Sequence, residues 1–116
     1  MLKIVTASGV RQIVVSGMIT PDANTAAQII AAIKEQQCYG ADVELLLQNC
    51  YGGSVHEGIL AYNAVKEAGI NTRVEGLCAS MGTILFCGGK ERIMGRMSQL
   101  MIHAPSGGAE GGADQM

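Results

Sequence analysis

The sequence lacks a large net charge of either sign, since its 8 basic and 10 acidic residues leave a formal charge of only −2. The basic residues stand singly along the chain and form no cluster. Nucleic acids and anionic membranes bind proteins through clustered Lys and Arg side chains. We therefore expect no nucleic acid and no membrane surface among the partners of this protein.

Metal-binding cysteine pairs and long apolar runs are also missing. No apolar run approaches the roughly 20 residues of a membrane span, and residues 1–6 lead directly into strand-like sequence instead of a signal peptide. The cysteines include no C-x-x-C pair, which favours buried, reduced thiols over a disulfide framework or a zinc site. We expect a cytoplasmic protein with no metal and no cofactor. The cysteines are Cys38, Cys50, Cys78 and Cys87.

Short strand-like segments recur along the chain. Residues 2–7 and 12–16 are rich in Val and Ile and predict a hairpin. The nearly continuous apolar run 43–47 predicts a parallel strand that is buried on both faces. Alternation at 72–75 predicts another strand, and residues 91–102 predict two more around a glycine turn.

Helical signals separate these strands. Thr20 and the two residues after it have the composition of a helix start, and apolar residues then recur at helical spacing up to Gly40. Ser54 with Glu57 three residues later is a capping box, so we assign Ser54 to capping the next helix, which ends at Gly69. The alternation of elements in a chain of 116 residues predicts one α/β domain with a mostly parallel sheet.

Ser80 lies where the sequence pattern changes from that of a strand to that of a helix. A serine in this place is most often a helix N-cap. A helix start also leaves backbone N–H groups unpaired, and these can stabilise an anion beside the hydroxyl. The small neighbours Ala79 and Gly82 leave room for a substrate. On its own, Ser80 is therefore either a cap or a nucleophile. Which of the two it is depends on the residues that lie near it.

Two sets of partners stand at the ends of predicted strands. Gly52 and Gly53 follow the buried strand at the edge where sites on parallel sheets lie, and they form either a plain turn or a close approach of backbone N–H groups to a carbonyl. His103 follows the last strand and is either a strand-end histidine or a base for a serine. His56, on a first helical turn, is interpreted as a solvated histidine.

Three blocks carry a resemblance to a known family. They are Asn49 to Val55 (NCYGGSV), Gly76 to Gly82 (GLCASMG) and Met101 to Pro105 (MIHAP). Their order and spacing resemble the signature blocks of the Clp protease proteolytic subunit family, including its phage head-maturation relatives. The resemblance implies a Clp/crotonase-like spiral of strand-strand-helix units. It places a partial head domain at 1–105 and a glycine-rich tail at 106–116, where a handle region would begin.

The resemblance implies a serine endopeptidase that hydrolyses unfolded polypeptides, or phage capsid and scaffold proteins, by Ser–His acyl transfer. It also implies a homo-oligomer, whereas nothing in the sequence indicates an AAA+ ATPase partner. The glycines would receive an extended peptide as an added strand. By resemblance the roles are a catalytic Ser80 and His103, an oxyanion hole at Gly53 and Met81, and substrate binding at Gly52, Gly107 and Gly108.

The sequence departs from the family pattern in two places. Cys50-Tyr51 stands where the family has Ser-Pro. The family's triad aspartate lies on a later segment, whereas the 13 residues after His103 contain only Glu110 and Asp114 as acids, and Asp114 aligns with the start of the handle helix. We expect the triad acid to be absent from this chain, the isolated chain to be nearly inert, and the family's double ring not to form.

Other functions stay open at this point. One is a catalytically inactive or truncated assembly subunit of the same fold. Another is a crotonase-like site for acyl-CoA esters, which a Ser80–His103 pair argues against because that chemistry does not require such a dyad. A Ser–Lys mechanism is less favoured because a histidine block follows the serine block.

Overall fold

The computed structural model describes residues 2–7, 9–40 and 42–102. Strands and helices alternate through most of these residues. In chain order they are β1 (Leu2–Ala7), β2 (Val10–Ile19), α1 (Ala26–Gln37), β3 (Asp42–Gly53), α2 (Val55–Ala68), β4 (Asn71–Ala79), α3 (Met81–Cys87), β5 (Arg92–Met94) and β6 (Gln99–Met101). The domain boundary predicted at residue 105 lies outside the described residues and stays a prediction.

The strands form one six-stranded sheet in the order β1-β2-β3-β4-β5, with β6 also beside β4. β1 and β2 form the predicted antiparallel hairpin, and every other pair is parallel. Parallel neighbours need a crossover, which α1 supplies between β2 and β3 and α2 supplies between β3 and β4. The predicted α/β class with a mostly parallel sheet is confirmed.

The main core lies on the sheet face that the helices cover. Residues 43–47 of β3 are all buried, as the apolar run predicted. Full burial of one aliphatic side chain stabilises the fold by roughly 1.5–3 kcal/mol, so the central strands and the helices depend on one another. The fully enclosed members of this core include Ile13, Val15, Ile29, Leu45, Leu47, Val65, Val74 and Leu85.

The predicted start of α1 at Thr20 is wrong. Thr25 is the N-cap, and its hydroxyl accepts the Gln28 N–H while the Gln28 side chain accepts the Thr25 N–H, each at 3.1 Å. The Thr20 hydroxyl instead accepts the N–H groups of Asp22 and Ala23 and holds a turn. Both threonines have capping chemistry, and the position of the buried helix face decides between them.

One of the two hydrogen bonds of the capping box predicted at the start of α2 is present. The Ser54 hydroxyl accepts the Glu57 N–H at 3.2 Å. The Glu57 carboxylate does not return to Ser54, because it accepts the N–H of Ala26 at 2.8 Å. It thereby ties the start of α2 to the start of α1. The helix ends at Gly69 in the left-handed conformation, with φ 70°, as predicted.

The two short strands predicted around Gly95 are present, and the structure adds how they pair. β5 and β6 both pair in parallel with β4, one after the other, β5 with its first half and β6 with its second. Between them, the Gly95 N–H and the Ser98 hydroxyl both donate to the Val74 carbonyl at 2.8 Å. The turn at Gly95 is therefore a step along one neighbouring strand.

All four cysteines are free. The prediction of buried thiols holds for Cys50 and Cys78 and is wrong for Cys38 and Cys87, which are exposed. Within residues 2–7, 9–40 and 42–102, no group of three or more His, Cys, Asp or Glu side chains is placed to hold a metal ion. None of the helices described has the length and apolarity needed to cross a membrane.

Candidate active site

Ser80 stands alone between β4 and α3 in a strained conformation. Its φ of 56° and ψ of −124° place a residue with a Cβ in a region that such residues rarely adopt. Strain of this kind costs on the order of 1–3 kcal/mol and gathers at functional sites. The predicted helix start is confirmed, but the hydroxyl makes no capping hydrogen bond. The structure thus removes the capping role that the serine type alone favoured.

The strained turn is held from three sides. The Ser80 N–H donates to the Met101 carbonyl at the end of β6, at 2.8 Å. The Ser80 carbonyl accepts the Thr83 N–H at 3.0 Å. The buried Thr83 hydroxyl lies 3.3 Å from the carbonyls of both Cys78 and Met101. The ends of β4 and β6 and the start of α3 therefore meet at Ser80.

The glycine pair of β3 lies against this turn. A Cβ on Gly52 would lie 2.7 Å from the Met81 nitrogen and 2.9 Å from the Ser80 Cβ, distances that real side chains do not reach. A Cβ on Gly53 would collide with the Ile19 carbonyl, and both glycines have positive φ, 84° and 131°. Only glycine lets the backbone of β3 approach Ser80 and Met81 this closely.

One backbone N–H group beside Ser80 has no helical partner. Met81 is the first residue of α3, so its N–H has no acceptor within the helix. One residue beyond Gly53, the Ser54 N–H donates to the Ile19 carbonyl at 2.8 Å and closes the β2–β3 ladder. The Met81 N–H can therefore donate to an anion beside the Ser80 hydroxyl.

The Met81 side chain fixes the start of α3 from below. It is buried, and its terminal carbon would lie 2.5 Å from a Cβ built on Gly58 of α2. The absence of a side chain at Gly58 therefore makes the space that Met81 fills. The orientation of the first N–H of α3 depends on this contact between α2 and α3.

Two buried thiols lie behind the turn. Cys50 and Cys78 are register partners on β3 and β4, and their sulfurs lie 3.1 and 3.2 Å from a Cβ built on Gly82. Burial raises the pKa of the Cys50 thiol. Burial, with a smaller contribution from Cys50, raises the pKa of Cys78 to about 12. Both thiols stay protonated at neutral pH, so neither is a nucleophile here.

The other predicted site residues lie elsewhere or outside the described residues. His103 lies outside them, two positions beyond Met101, and so do Gly107, Gly108, Glu110 and Asp114. His56 is exposed on the first turn of α2. The structure therefore brings Gly52 against Ser80 and Met81, while Gly53, the next residue, lies against Ile19.

Two residues of the site were missed from the sequence. Thr83 was counted only as part of an apolar helix. The sequence predicts a strand over residues 43–47, yet β3 continues past Asn49, which has φ 49° and whose side chain accepts the Leu77 N–H at 3.1 Å. After glycine, Asn is among the residue types that most readily adopt a positive φ. An asparagine three residues before the glycine pair was therefore the signal in the sequence for an irregular strand here.

A groove among the described residues lies away from Ser80. It has a volume of about 390 Å³ and lies between α1 and α2, where Ile30, Lys34 and Ala64 contribute to its walls. Ser80 instead lies at the end of β4 and is hydrogen-bonded to the end of β6, whose other side is open among the described strands. An open edge suits an extended chain better than a small enclosed ligand.

Comparison with known proteins gives a family match along almost the whole chain. A family model described as Clp protease matches residues 4–116. The ATP-dependent Clp protease proteolytic subunit 1 of Salinibacter ruber (strain DSM 13855 / M31) is 39% identical over 72 residues, which are 59% of this chain and 31% of that protein. The ATP-dependent Clp protease proteolytic subunit of Pleurastrum terricola is 38% identical over 72 residues, 59% of this chain and 37% of that protein. The match thus spans about a third of the length of these curated relatives.

Proposed function

This chain belongs to the Clp protease family, and on that premise we propose that it is a serine-type endopeptidase that hydrolyses peptide bonds in unfolded polypeptides. The observation that carries the proposal is Ser80. It has a strained φ of 56° at a strand-to-helix turn and a hydroxyl that is not used as a cap. A structural serine has no need of that strain.

The reaction we propose is acyl transfer through Ser80. Its Oγ attacks the scissile carbonyl carbon, and the hydroxyl proton passes to His103. The carbonyl oxygen becomes an oxyanion and accepts the N–H groups of Gly53 and Met81. When the C–N bond breaks, His103 gives its proton to the leaving amine. Water then attacks the acyl-enzyme by the same route and frees Ser80.

The position of β6 supports His103 as the base. The Met101 carbonyl accepts the Ser80 N–H at 2.8 Å. His103 follows Met101 by two positions in the sequence, and this closeness along the chain supports its assignment as the base.

The sheet edge at β6 supports a peptide as substrate. β6 pairs with β4 on one side, and none of the described strands pairs with its other side. An extended peptide can add to such an edge through main-chain hydrogen bonds. Binding of this kind tolerates many different side chains. We also propose Gly52, which lies against Ser80 from β3, and Gly107 and Gly108, which are outside the described residues, as substrate-binding residues. Phage capsid or scaffold proteins are a narrower substrate class within the same proposal.

The surface of α2 supports assembly with further copies of the chain. Val55 and Ile59 lie one helical turn apart and are exposed, and Leu60 beside them is exposed as well. Apolar side chains grouped on one helix face mark an interaction surface. We propose that this surface, named here the α2 face and defined by Val55, Ile59 and Leu60, contacts another copy in a homo-oligomer.

Labelling with a fluorophosphonate probe tests the proposed nucleophile, because only an activated serine reacts with it. We expect Ser80 to be labelled, but slowly, because the triad acid is expected to be absent, and mass spectrometry of the peptides locates the label. Ser80→Ala should remove the label, and His103→Gln should slow it by roughly 10²-fold or more. The matched control is Ser98→Ala, the same kind of change on the same edge of the sheet, at a hydroxyl that bonds the Val74 carbonyl.

The outcomes separate the candidate functions. Ser98→Ala should label at the wild-type rate. A folded chain that stays unlabelled at Ser80 would overturn the proposal and favour a non-catalytic assembly subunit. Unlabelled protein that binds an acyl-CoA ester would favour the crotonase-like site. Labelling that persists in Ser80→Ala would assign the nucleophile to another residue.

A further inference from the structure

Asn49 occupies an irregular position in the middle of the sheet. Its φ is 49°, and it is one of three residues other than glycine with positive φ among those described. Its Oδ1 accepts the Leu77 N–H of the neighbouring strand at 3.1 Å. A Cβ on Gly76 would collide with the same Oδ1, and Gly76 has φ 80°. The Asn49 side chain therefore fills the space that a side chain at position 76 would take.

The register shows what this contact does. Gln48 pairs with Glu75, and the next paired residues are Cys50 and Cys78. Asn49 therefore faces two residues of β4, Gly76 and Leu77, which form a β-bulge. A bulge leaves the N–H of its extra residue without a ladder partner. The Asn49 side chain supplies that partner.

The bulge sets the position of Ser80. Without it, Cys50 would pair with Leu77, and every later residue of β4 would move along the strand by one position, about 3.3 Å. A shift of one residue also turns each side chain to the opposite face of the sheet. Cys78 would leave the core, and Ser80 would no longer meet Gly52, whose backbone contacts the Ser80–Met81 turn.

We propose that Asn49 is a positioning residue for Ser80: its side-chain oxygen holds the bulge at Gly76 and Leu77 and thereby aligns the glycine pair of β3 with the nucleophile. The inference rests on the proposed function. It adds a residue that does not touch the substrate and that acts through the register of β3 and β4. The alignment of the two oxyanion N–H donors depends on it.

Two substitutions separate the side chain from the backbone. Asn49→Gly keeps the positive φ without strain and removes the acceptor oxygen. Asn49→Asp keeps an acceptor oxygen of the same reach. The matched control is Asn71→Gly, because Asn71 Oδ1 accepts the Glu91 N–H, also at 3.1 Å, at the other end of the same strand. That control removes an equivalent hydrogen bond far from Ser80.

The measurement is the rate of fluorophosphonate labelling at Ser80. Circular dichroism gives the folded fraction of each variant. In Asn49→Gly we expect Ser80 to be labelled at a rate roughly tenfold or more below that of the wild type, because a misaligned oxyanion donor lowers the rate. All of the protein molecules should still become labelled. Asn49→Asp should restore the rate to within about threefold of wild type, and Asn71→Gly should label at the wild-type rate. A purely structural role would lower the labelled fraction and leave the rate unchanged. Wild-type rates in a folded Asn49→Gly would overturn the proposal.

A second measurement keeps the inference testable if Asn49→Gly does not fold or if Ser80 is not labelled. Amide hydrogen exchange of the wild-type chain reports the Leu77 N–H directly. We expect this N–H to be protected like the paired residues of β4, although Asn49 and Gly76 are exposed. Fast exchange at Leu77 would overturn the positioning role. Failure of wild-type labelling alone would overturn the proposed function and leave this result standing.

Discussion

At the scale of single residues, polar groups decide the geometry around Ser80. The Thr83 hydroxyl lies 3.3 Å from the carbonyl at the end of β4 and from the carbonyl at the end of β6. Nearby, the thiols of Cys50 and Cys78 are enclosed by the same elements and are neutral. A charge at either sulfur would lie in a dry interior, which is the physical cause of their raised pKa values.

The raised pKa values of these thiols predict that the folded chain loses stability at alkaline pH. The pKa of Cys78 is about 12 in the folded chain, against 9.0 for an ordinary thiol. Between these values the unfolded chain has lost the proton that the folded chain keeps, so stability is complete below about pH 9 and falls as the pH rises. The slope for one thiol is at most about 1.4 kcal/mol per pH unit.

Urea denaturation at a series of pH values between about 8 and 11 measures this loss of stability. The free energy of unfolding should fall with pH, and Cys78→Ala should make the slope shallower whatever its stability at pH 8. Cys38→Ala, the same change at an exposed thiol, is the matched control. Equal slopes for wild type and Cys78→Ala would contradict the prediction.

At the scale of elements, short contacts between helices position the site. Met81 of α3 rests on Gly58 of α2. One residue earlier on α2, the Glu57 carboxylate accepts the first N–H of α1 at 2.8 Å. α2 is therefore fixed against both of its neighbours near its first two turns, next to Gly53. The elements that carry Gly53 and Met81 are joined through this helix.

The Glu57 contact predicts a stability effect. Glu57→Ala leaves the Ala26 N–H without its acceptor and should lower the free energy of unfolding by about 1–3 kcal/mol. Glu57→Gln keeps an oxygen acceptor and should lose less. Glu67→Ala, at an exposed position of the same helix, should change stability by no more than about 0.5 kcal/mol. Urea denaturation at neutral pH checks all three, and equal effects at positions 57 and 67 would contradict the role of this bond.

At the scale of the whole molecule, the sheet and the helices leave apolar surface uncovered. The α2 face and the edge formed by β6 are its clearest parts, and Met97 and Ile102 beside that edge are strongly exposed. Exposed apolar side chains and an open strand edge both favour association with further chains. Association would cover them and would also enclose the open edge beside Ser80.

The α2 face predicts self-association that depends on concentration. Ile59→Lys places a charge in the centre of this face and should shift the mass measured by light scattering towards that of a single chain. Ala31→Lys, which adds the same charge at an exposed position of α1, should leave the mass unchanged. A single-chain mass for the wild type at every concentration would contradict the proposed contact.

The sequence by itself determined the features that depend on near neighbours. Ser54 and Gly69 delimit α2 because a cap acts within one helical turn. The apolar run 43–47 determined a buried central strand, since no other arrangement removes so much apolar surface from water. The start of α3 at Ser80 was determined in the same way. Its chemical role, and that of His103, came only from the resemblance to a family.

The tertiary structure decided what depends on distant residues. Thr20 and Thr25 offer the same capping chemistry, and the packing of α1 on the sheet chose Thr25. β5 and β6 pair with β4 because the edge of β4 was open to both. The contact of Gly52 with the Ser80 turn rests on a bulge that Asn49 holds, and no local pattern specifies the register of two strands that lie 28 residues apart. Strand pairing is settled by the burial of many side chains at once, so only the folded chain fixes it.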